Sequence, residues 1–321
     1  MLEGNDSVRV PCILCKEDRT QRVSRGATFL GFPIQVVICL NDGLVYLNPR
    51  WTKARYDQFY STEYDQWCRP QASEQRARWE VAAAQQIWHR VRRHHFEEIE
   101  SVLDIGAGEG WSLRFLKDQT CGDVDLAAIE ASEACARNIT RSVGAELLAR
   151  DLDADWHTSN QGRFDLVILN HVLEHTLDPT EVLRKVHDAL SPRGVVYIAV
   201  PDMMSPRRAL DTYWFRGTHT YYFSVGTLKC IAARAKLRPI VTSSRNSQVW
   251  ALFTKAGPDW SAVWQSAYEE QMQAIQRYRR WGWLRQAMAF PYRALSRLLP
   301  LPVKSRFPSP WKESLRHRLL G

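Results

Sequence analysis

The stretch VLDIGAGEGW at residues 102–111 sets one carboxylate, Asp104, two residues ahead of three alternating glycines, Gly106, Gly108 and Gly110. Glycine is needed where a ligand must lie against the backbone or where φ must be positive. A helix that starts behind such a turn also offers free N–H groups. A second acid, Glu130, closes the next apolar run 20 residues after Gly110, and a carboxylate in that place can accept hydrogen bonds from a ribose diol. Dinucleotide sites share this logic but use G-x-G-x-x-G against a pyrophosphate. Here the turn reads D-x-G-x-G-x-G, and an acid aimed at the pocket would repel phosphate. It suits a ligand that carries an amino group and a sulfonium cation.

Two other groupings could do chemistry. His171, Glu174 and His175 spell H-x-x-E-H, the letters of an inverted zinc-protease motif. That chemistry needs both histidines on one helix face, whereas HVLEH follows directly on the apolar run FDLVILN, so the protease reading is disfavoured. Near the N-terminus, Cys12-Ile-Leu-Cys15 and Cys39-Leu-Asn-Asp42 have the shape of a zinc ribbon with a carboxylate in the fourth place. Cys12, Cys15, Cys39 and Asp42 are therefore the expected ligands of a structural zinc, against a metal-free relic as the alternative. Cys68, Cys121, Cys135 and Cys230 show no ligand spacing, and burial is their default.

The elements that must position these groups follow from periodicity. Residues 1–50 carry short β-like runs and turn residues, which suggests a small β-rich module. Residues 51–98 form a connector whose second half, QASEQRARWEVAAAQQIWHRVRRHHFEE, lacks Gly and Pro and favours a helix. From 99 to 256, short apolar runs (SVLDIG, VDLAAIE, AELLAR, FDLVILN, GVVYIAV) alternate with helical stretches near 111–119, 132–142 and 179–190. Continuous apolar strands separated by helices imply right-handed crossovers and a parallel sheet. The expected class is α/β, a doubly wound Rossmann-like sheet. RPIVTSS and QVWALFTK follow with only a short link between them, which predicts a hairpin and an antiparallel strand at one side.

With those motifs in view, the segment 99–256 resembles the class I S-adenosylmethionine-dependent methyltransferases. VLDIGAGEGWSL is similar to the family's first motif, AAIEAS to its ribose-binding acid, FDLVILNHVLEHTLDP to its fourth-strand motif and LSPRGVVYIAVPD to its fifth strand. HTYYFSVGTLKCIAARAKL resembles a stretch seen in many small-molecule members. The resemblance implies that Asp104, Gly106, Gly108 and Gly110 cradle the methionine part of S-adenosylmethionine and that Glu130 holds the ribose. Asp151 would approach the adenine amino group, with Asp153 and Asp155 as alternative registers, while Asn170 and His171 line the pocket. Methyl transfer needs aligned reactants and excluded water, and a base where the acceptor is a hydroxyl or a carbon acid. His171, His175 and His219 are the candidates, and Tyr60 and Tyr64 could reach over the pocket. The N-terminal module resembles the zinc-binding module that precedes the methyltransferase domain in bacterial sugar C-methyltransferases, which implies a small-molecule or saccharide-type acceptor.

Charge and composition bound the rest. Of 321 residues with formal net charge +8, the stretch from Arg277 to the end holds eleven Lys/Arg against one acid, Glu313, and so carries +10. Residues 1–276 are therefore close to neutral, with 32 Lys/Arg against 34 Asp/Glu. Trp260, Trp264, Tyr268, Met272 and Ile275 form one apolar helical face, read as core docking. Leu284, Met288, Tyr292, Leu295 and Leu299 oppose Arg285, Arg293 and Arg297 in an amphipathic basic tail, 257–321 as a whole being helical. Residues 277–321 could lie on an anionic membrane surface; an RNA-binding arm serving an RNA methyltransferase is the rival. NHVL in place of N/D-P-P-Y argues against methylation of DNA bases, and a non-catalytic S-adenosylmethionine-binding protein is the third reading. No apolar run is long enough to span a bilayer, and the N-terminus lacks the pattern of a secretory signal. A cytoplasmic chain, peripheral at most to the membrane, is expected.

Overall fold

The computed structural model describes residues 6–63, 74–95, 98–120, 124–257 and 265–280. Cys68, Cys121, Tyr64, Trp260, Trp264 and the tail from 281 lie outside these residues.

The N-terminal module contributes strands β1 (Thr20–Arg22), β2 (Val36–Cys39) and β3 (Val45–Leu47) and leads into helix α1 (Lys53–Gln58) and the connector helix α2 (Glu74–His94). The main sheet follows with β4 (Ser101–Ile105), β5 (Asp125–Ile129), β6 (Glu146–Ala149), β7 (Phe164–Asn170) and β8 (Leu190–Pro201). Between these strands stand α3 (Trp111–Gln119), α4 (Glu133–Asn138) and α5 (Pro179–Ala189). Then come the short strand β9 (Tyr221–Tyr222), helix α6 (Val225–Arg234), strands β10 (Leu237–Arg245) and β11 (Gln248–Lys255), and a last helix, α7, over 268–280.

The sheet order is β6-β5-β4-β7-β8-β11-β10. The first five strands are parallel, as the alternation with helices requires. The predicted hairpin forms, and its second strand inserts antiparallel between β8 and the edge strand β10. Along β4 and β7 successive side chains enter different cores. Leu103, Ile105, Val167 and Leu169 meet α5 and α6 through Leu183, Leu228 and Ile231. Val102, Leu166 and Ile168 meet α2 and α3 through Ile87, Val91, Leu113 and Leu116. Helix starts are locally encoded: Ser132 caps α4, Asp178 caps α5 with Pro179 behind it, and Ser224 with Thr227 forms a capping box on α6.

The module shares a core with the larger sheet's domain, Leu14, Cys39 and Leu44 lying in one cluster with Leu228 and Ile231, and further elements join the two. Its own sheet runs β9-β3-β2-β1, so a strand from residues 221–222 completes it. Helix α7 packs Ile275 into the module core beside Val23 and Val36, with Tyr268 and Met272 against it, as core docking requires. Gly43 makes that contact possible: at φ +82 it lies so close to α7 that a Cβ would come 2.4 Å from the Tyr268 nitrogen. Gln271 Nε2 donates to the Gly43 carbonyl at 2.6 Å. Of the basic residues from 277 onward, Arg279 is held by the protein, donating to the Val23 carbonyl and pairing with Asp211 at 3.3 Å. No helix among the described residues is long and apolar enough to cross a membrane.

Candidate active site

A cleft of about 730 Å³ opens at the C-terminal ends of β4, β5, β6 and β7, the place where open α/β sheets bind ligands. Asp104, Gly106, Gly108, Glu130, Asp151, Asn170, His171 and His175 all line it. Gly110 does not: it sits at φ +79 as the N-cap of α3, against Val143 and Ile139. Its place in the motif serves the turn behind the cleft.

The acidic pole is built locally. Strand β4, buried along its length, delivers Asp104 to the cleft floor, 3% exposed. Burial, with the charge of Glu130 second, pushes its carboxyl up to about 8. The chain turns at Gly106, whose φ is +69 and whose Cβ would lie 2.6 Å from a Val172 methyl, so the turn lies flush on the β7 loop. Glu130 accepts from the backbone N–H groups of Gly108 at 2.7 Å and Ser132 at 2.8 Å. A carboxylate has about four acceptor sites, so these two bonds aim the group and leave capacity for a diol. The buried acids form a pole that fits a cationic ligand with a ribose, the test that S-adenosylmethionine sets.

Beyond β6, Asp151 and Asp153 both line the cleft, while Asp155 pairs instead with His157 at 3.2 Å. Lys53 of α1 reaches Asp57, Asp151 and Asp153 at 2.9, 3.6 and 3.2 Å. The loop's backbone is held from the other side by Lys185 of α5, only 8% exposed, whose Nζ donates to the carbonyls of Asp153 at 2.7 Å and Ala154 at 2.9 Å. Nothing in the spacing of α5 marked Lys185 for this task, since a lysine on an amphipathic helix ordinarily faces solvent.

The opposite wall is a histidine cluster. His171 follows the last residue of β7 in the left-handed region, φ +58, yet keeps the ladder by donating its N–H to the Ala199 carbonyl at 2.8 Å. A non-glycine residue in that region costs energy and is retained where the surroundings dictate it. Gln248 Nε2 donates to His171 Nε2 at 2.8 Å, which leaves the ring proton on Nδ1 to donate to Glu174 Oε1 at 3.2 Å. Glu174 itself is 1% exposed. Burial works against its ionisation, but the His171 hydrogen bond and the neighbouring histidines hold it at about 2. His175 lies within hydrogen-bond reach of the Thr218 carbonyl, 2.9 Å, and the Tyr60 hydroxyl, 3.1 Å, both at Nδ1. Its ring meets that of His219 edge to face at 4.8 Å. Burial, followed by the like charge of His175, holds His219 down to about 3, and burial likewise lowers His175. His219 is half-buried and does not line the cleft. At the rim, Trp79 of α2 is 61% exposed and lines the opening with Tyr56 and Tyr60.

The H-x-x-E-H letters thus do not make a helical protease site, because His171 ends a strand and Glu174 and His175 share a short 3-10 turn, Leu173–His175. Sequence reasoning missed the hub role of Glu174, and it missed Lys53, Trp79, Lys185 and Gln248. The one available signal was the HVLEH string itself.

In the module, Cys12, Cys15, Cys39 and Asp42 come together, one ligand atom of each lying within 4.8 Å of the others. Cys12 Sγ donates to Asp42 Oδ2 at 3.1 Å, and the Cys15 and Cys39 sulfurs are 3.5 Å apart. Cys39 is drawn down to about 7, chiefly by its hydrogen bond with Cys12.

The Methyltransferase domain family matches residues 56–241. The ubiquinone biosynthesis O-methyltransferase of Pseudomonas aeruginosa (strain LESB58) is 30% identical over 101 residues, 31% of this chain and 44% of that protein. The malonyl-[acyl-carrier protein] O-methyltransferase of Halalkalibacterium halodurans is 24% identical over 116 residues, 35% of this chain and 42% of that one. The chain therefore matches less than half the length of these curated relatives. Among solved structures, an S-adenosylmethionine-dependent methyltransferase from Mesorhizobium loti aligns with a TM-score of 0.43 and 17% identity, over 54% of this chain and 99% of that one. Every residue that lines the cleft falls inside the matched span 56–241. The chain belongs to the Methyltransferase domain family.

Proposed function

We propose that the enzyme methylates a hydroxyl oxygen of a small-molecule or saccharide-type acceptor seated between the acidic pole and the histidine wall. The observation that carries this reading is the His171–Glu174 pair, whose histidine lines the same cleft as Asp104. In this reading Asp104 and the turn at Gly106 and Gly108 receive the methionine end of the cofactor, Glu130 takes the ribose, and Asp151 or Asp153 the adenine side. When bound, S-adenosylmethionine supplies an electrophilic methyl group on a sulfonium. His171 acts as the general base: its Nδ1–H is fixed on Glu174, and its Nε2 lone pair takes the acceptor's proton in place of the Gln248 hydrogen bond. Asn170 sits beside it on the same wall. Tyr60 and Trp79 offer aromatic faces to the acceptor's ring. The curated relatives named above are O-methyltransferases, which agrees with an oxygen acceptor.

The test is methyl transfer from labelled S-adenosylmethionine to a panel of phenolic and sugar hydroxyl compounds, with His171→Gln as control. Transfer to carbon or nitrogen compounds alone would overturn the oxygen assignment. We further propose that Cys12, Cys15, Cys39 and Asp42 hold a structural zinc, because three thiols and a carboxylate already converge at ligand spacing.

A further inference from the structure

We propose that Glu174, His175 and His219 form a binding site for a divalent transition-metal cation in the histidine wall of the cleft. Glu174 and His175 come from the turn after β7 and His219 from the loop before β9, yet one ligand atom of each lies within 4.8 Å of the other two. Polar side chains can gather without a ligand, so the hydrogen bonds around them decide the matter.

Glu174 is 1% exposed, and while its Oε1 accepts from His171, its Oε2 is buried without a hydrogen-bond partner. A buried anionic oxygen left in that state is costly unless a cation faces it. His175 supplies the second indication. Its Nδ1 is 2.9 Å from the Thr218 carbonyl, which can only accept, so the ring proton sits there and Nε2 carries a lone pair. That lone pair lies 3.9 Å from Glu174 Oε1. A lone pair turned toward a carboxylate is repulsive until something electrophilic comes between them. Metal-binding histidines are held in this manner, the second ring nitrogen donating to a backbone carbonyl and the ligating carboxylate receiving a further hydrogen bond. The Thr218 carbonyl and His171 fill those two supporting roles.

A proton on His175 or His219 could also answer Glu174, but one proton would leave a second imidazole beside the same acid without use. Two imidazoles and a carboxylate suit a first-row divalent ion such as Zn²⁺, Fe²⁺ or Co²⁺. The guanidinium close by in the chain, Arg216, is engaged with Tyr213, its Nε donating to that residue's carbonyl at 3.3 Å. Three protein ligands leave a position for water or an acceptor oxygen. A hydroxyl bound there would lose its proton more readily, and Glu174 would join the ion to the base His171. That last role rests on the acceptor reading above; the binding of the ion does not.

The test uses the full chain loaded with Co²⁺ and read by proton nuclear magnetic resonance. Paramagnetic cobalt shifts the exchangeable ring N–H of a bound histidine far outside the ordinary spectrum. The cysteine cluster of the module contains no histidine, so cobalt bound there gives no such signal. Wild type should show shifted histidine N–H resonances, and His219→Ala should lose them while still binding S-adenosylmethionine by calorimetry, which certifies its fold. Absence of shifted resonances in cobalt-loaded wild type, or their persistence in His219→Ala, overturns the site. Neither readout involves methyl transfer, so failure of the metal site and failure of the acceptor reading are separable.

Discussion

Glu174 accepts a hydrogen bond from His171 Nδ1 at 3.2 Å through one carboxylate oxygen, while the rest of the acid is buried at the base of the cleft wall. The bond fixes both the tautomer and the direction of a ring that stands at the end of β7 with a positive φ. His171 is thereby oriented by a neighbour in sequence and placed by the strand.

The base assignment predicts distinct kinetics for the two members. His171→Gln should lower kcat by roughly 10²–10⁴, the usual worth of a positioned base, with little change in affinity for S-adenosylmethionine. Glu174→Gln should lower kcat less and shift the pH–rate profile, because the ring loses its charged partner and remains in place. Calorimetry separates binding from chemistry. Equal kcat for wild type and His171→Gln would remove His171 as the base.

Asp104 predicts a pH dependence of stability. Its carboxyl titrates at about 8 in the folded chain against an ordinary 3.8, so the folded state binds more protons across that window. Stability should fall as pH rises from about 4 to 8 and level off above, since it declines wherever the native state holds the extra proton. Asp104→Asn should remove most of that slope in melting curves at pH 5.5 and 8. A cationic cofactor favours the ionised carboxylate, so the affinity of wild type for S-adenosylmethionine should climb over the same range. An unchanged slope in Asp104→Asn would place the titration elsewhere.

How much of this was legible beforehand follows from sequence separation. The D-x-G-x-G-x-G turn and Glu130 could be read because strand, turn, helix and next strand are contiguous, and apolar runs announce them. Cys12, Cys15, Cys39 and Asp42 could be read because metal spacing survives in the string. The histidine wall could not be assembled from sequence: Tyr60 meets His175 across 115 residues and Gln248 meets His171 across 77. Such contacts depend on the sheet order, and the insertion of β11 between β8 and β10 is what brings Gln248 to His171. The joining of β9 to the module sheet likewise rests on two residues, too few to carry a periodic signal.

The cysteine cluster predicts metal-dependent stability of the module. Purified protein should contain zinc by elemental analysis, and Cys39→Ser should lose it along with several degrees of melting temperature. Because α7 docks against Gly43, one residue beyond Asp42, loss of the metal should also expose α7 to proteolysis. A Cys39→Ser chain that retained full zinc content would refute the ligand set.

Lys185 allows a test of the adenine-side loop that leaves the reacting groups untouched. The residue is 8% exposed and its ammonium is bonded to successive backbone carbonyls, and a hydrogen bond to a charged group contributes about 1.5–3 kcal/mol. Lys185→Met keeps the aliphatic stem in the core but leaves the Asp153 and Ala154 carbonyls without their donor. The loop that presents Asp151 and Asp153 should then loosen, while the His171 wall stays in place. KM for S-adenosylmethionine should rise roughly tenfold, equivalent to ~1.4 kcal/mol, with kcat at saturating cofactor nearly unchanged. A structural lesion spread through the domain would lower both together. A fall in kcat with KM constant would contradict the assignment of this loop to cofactor binding.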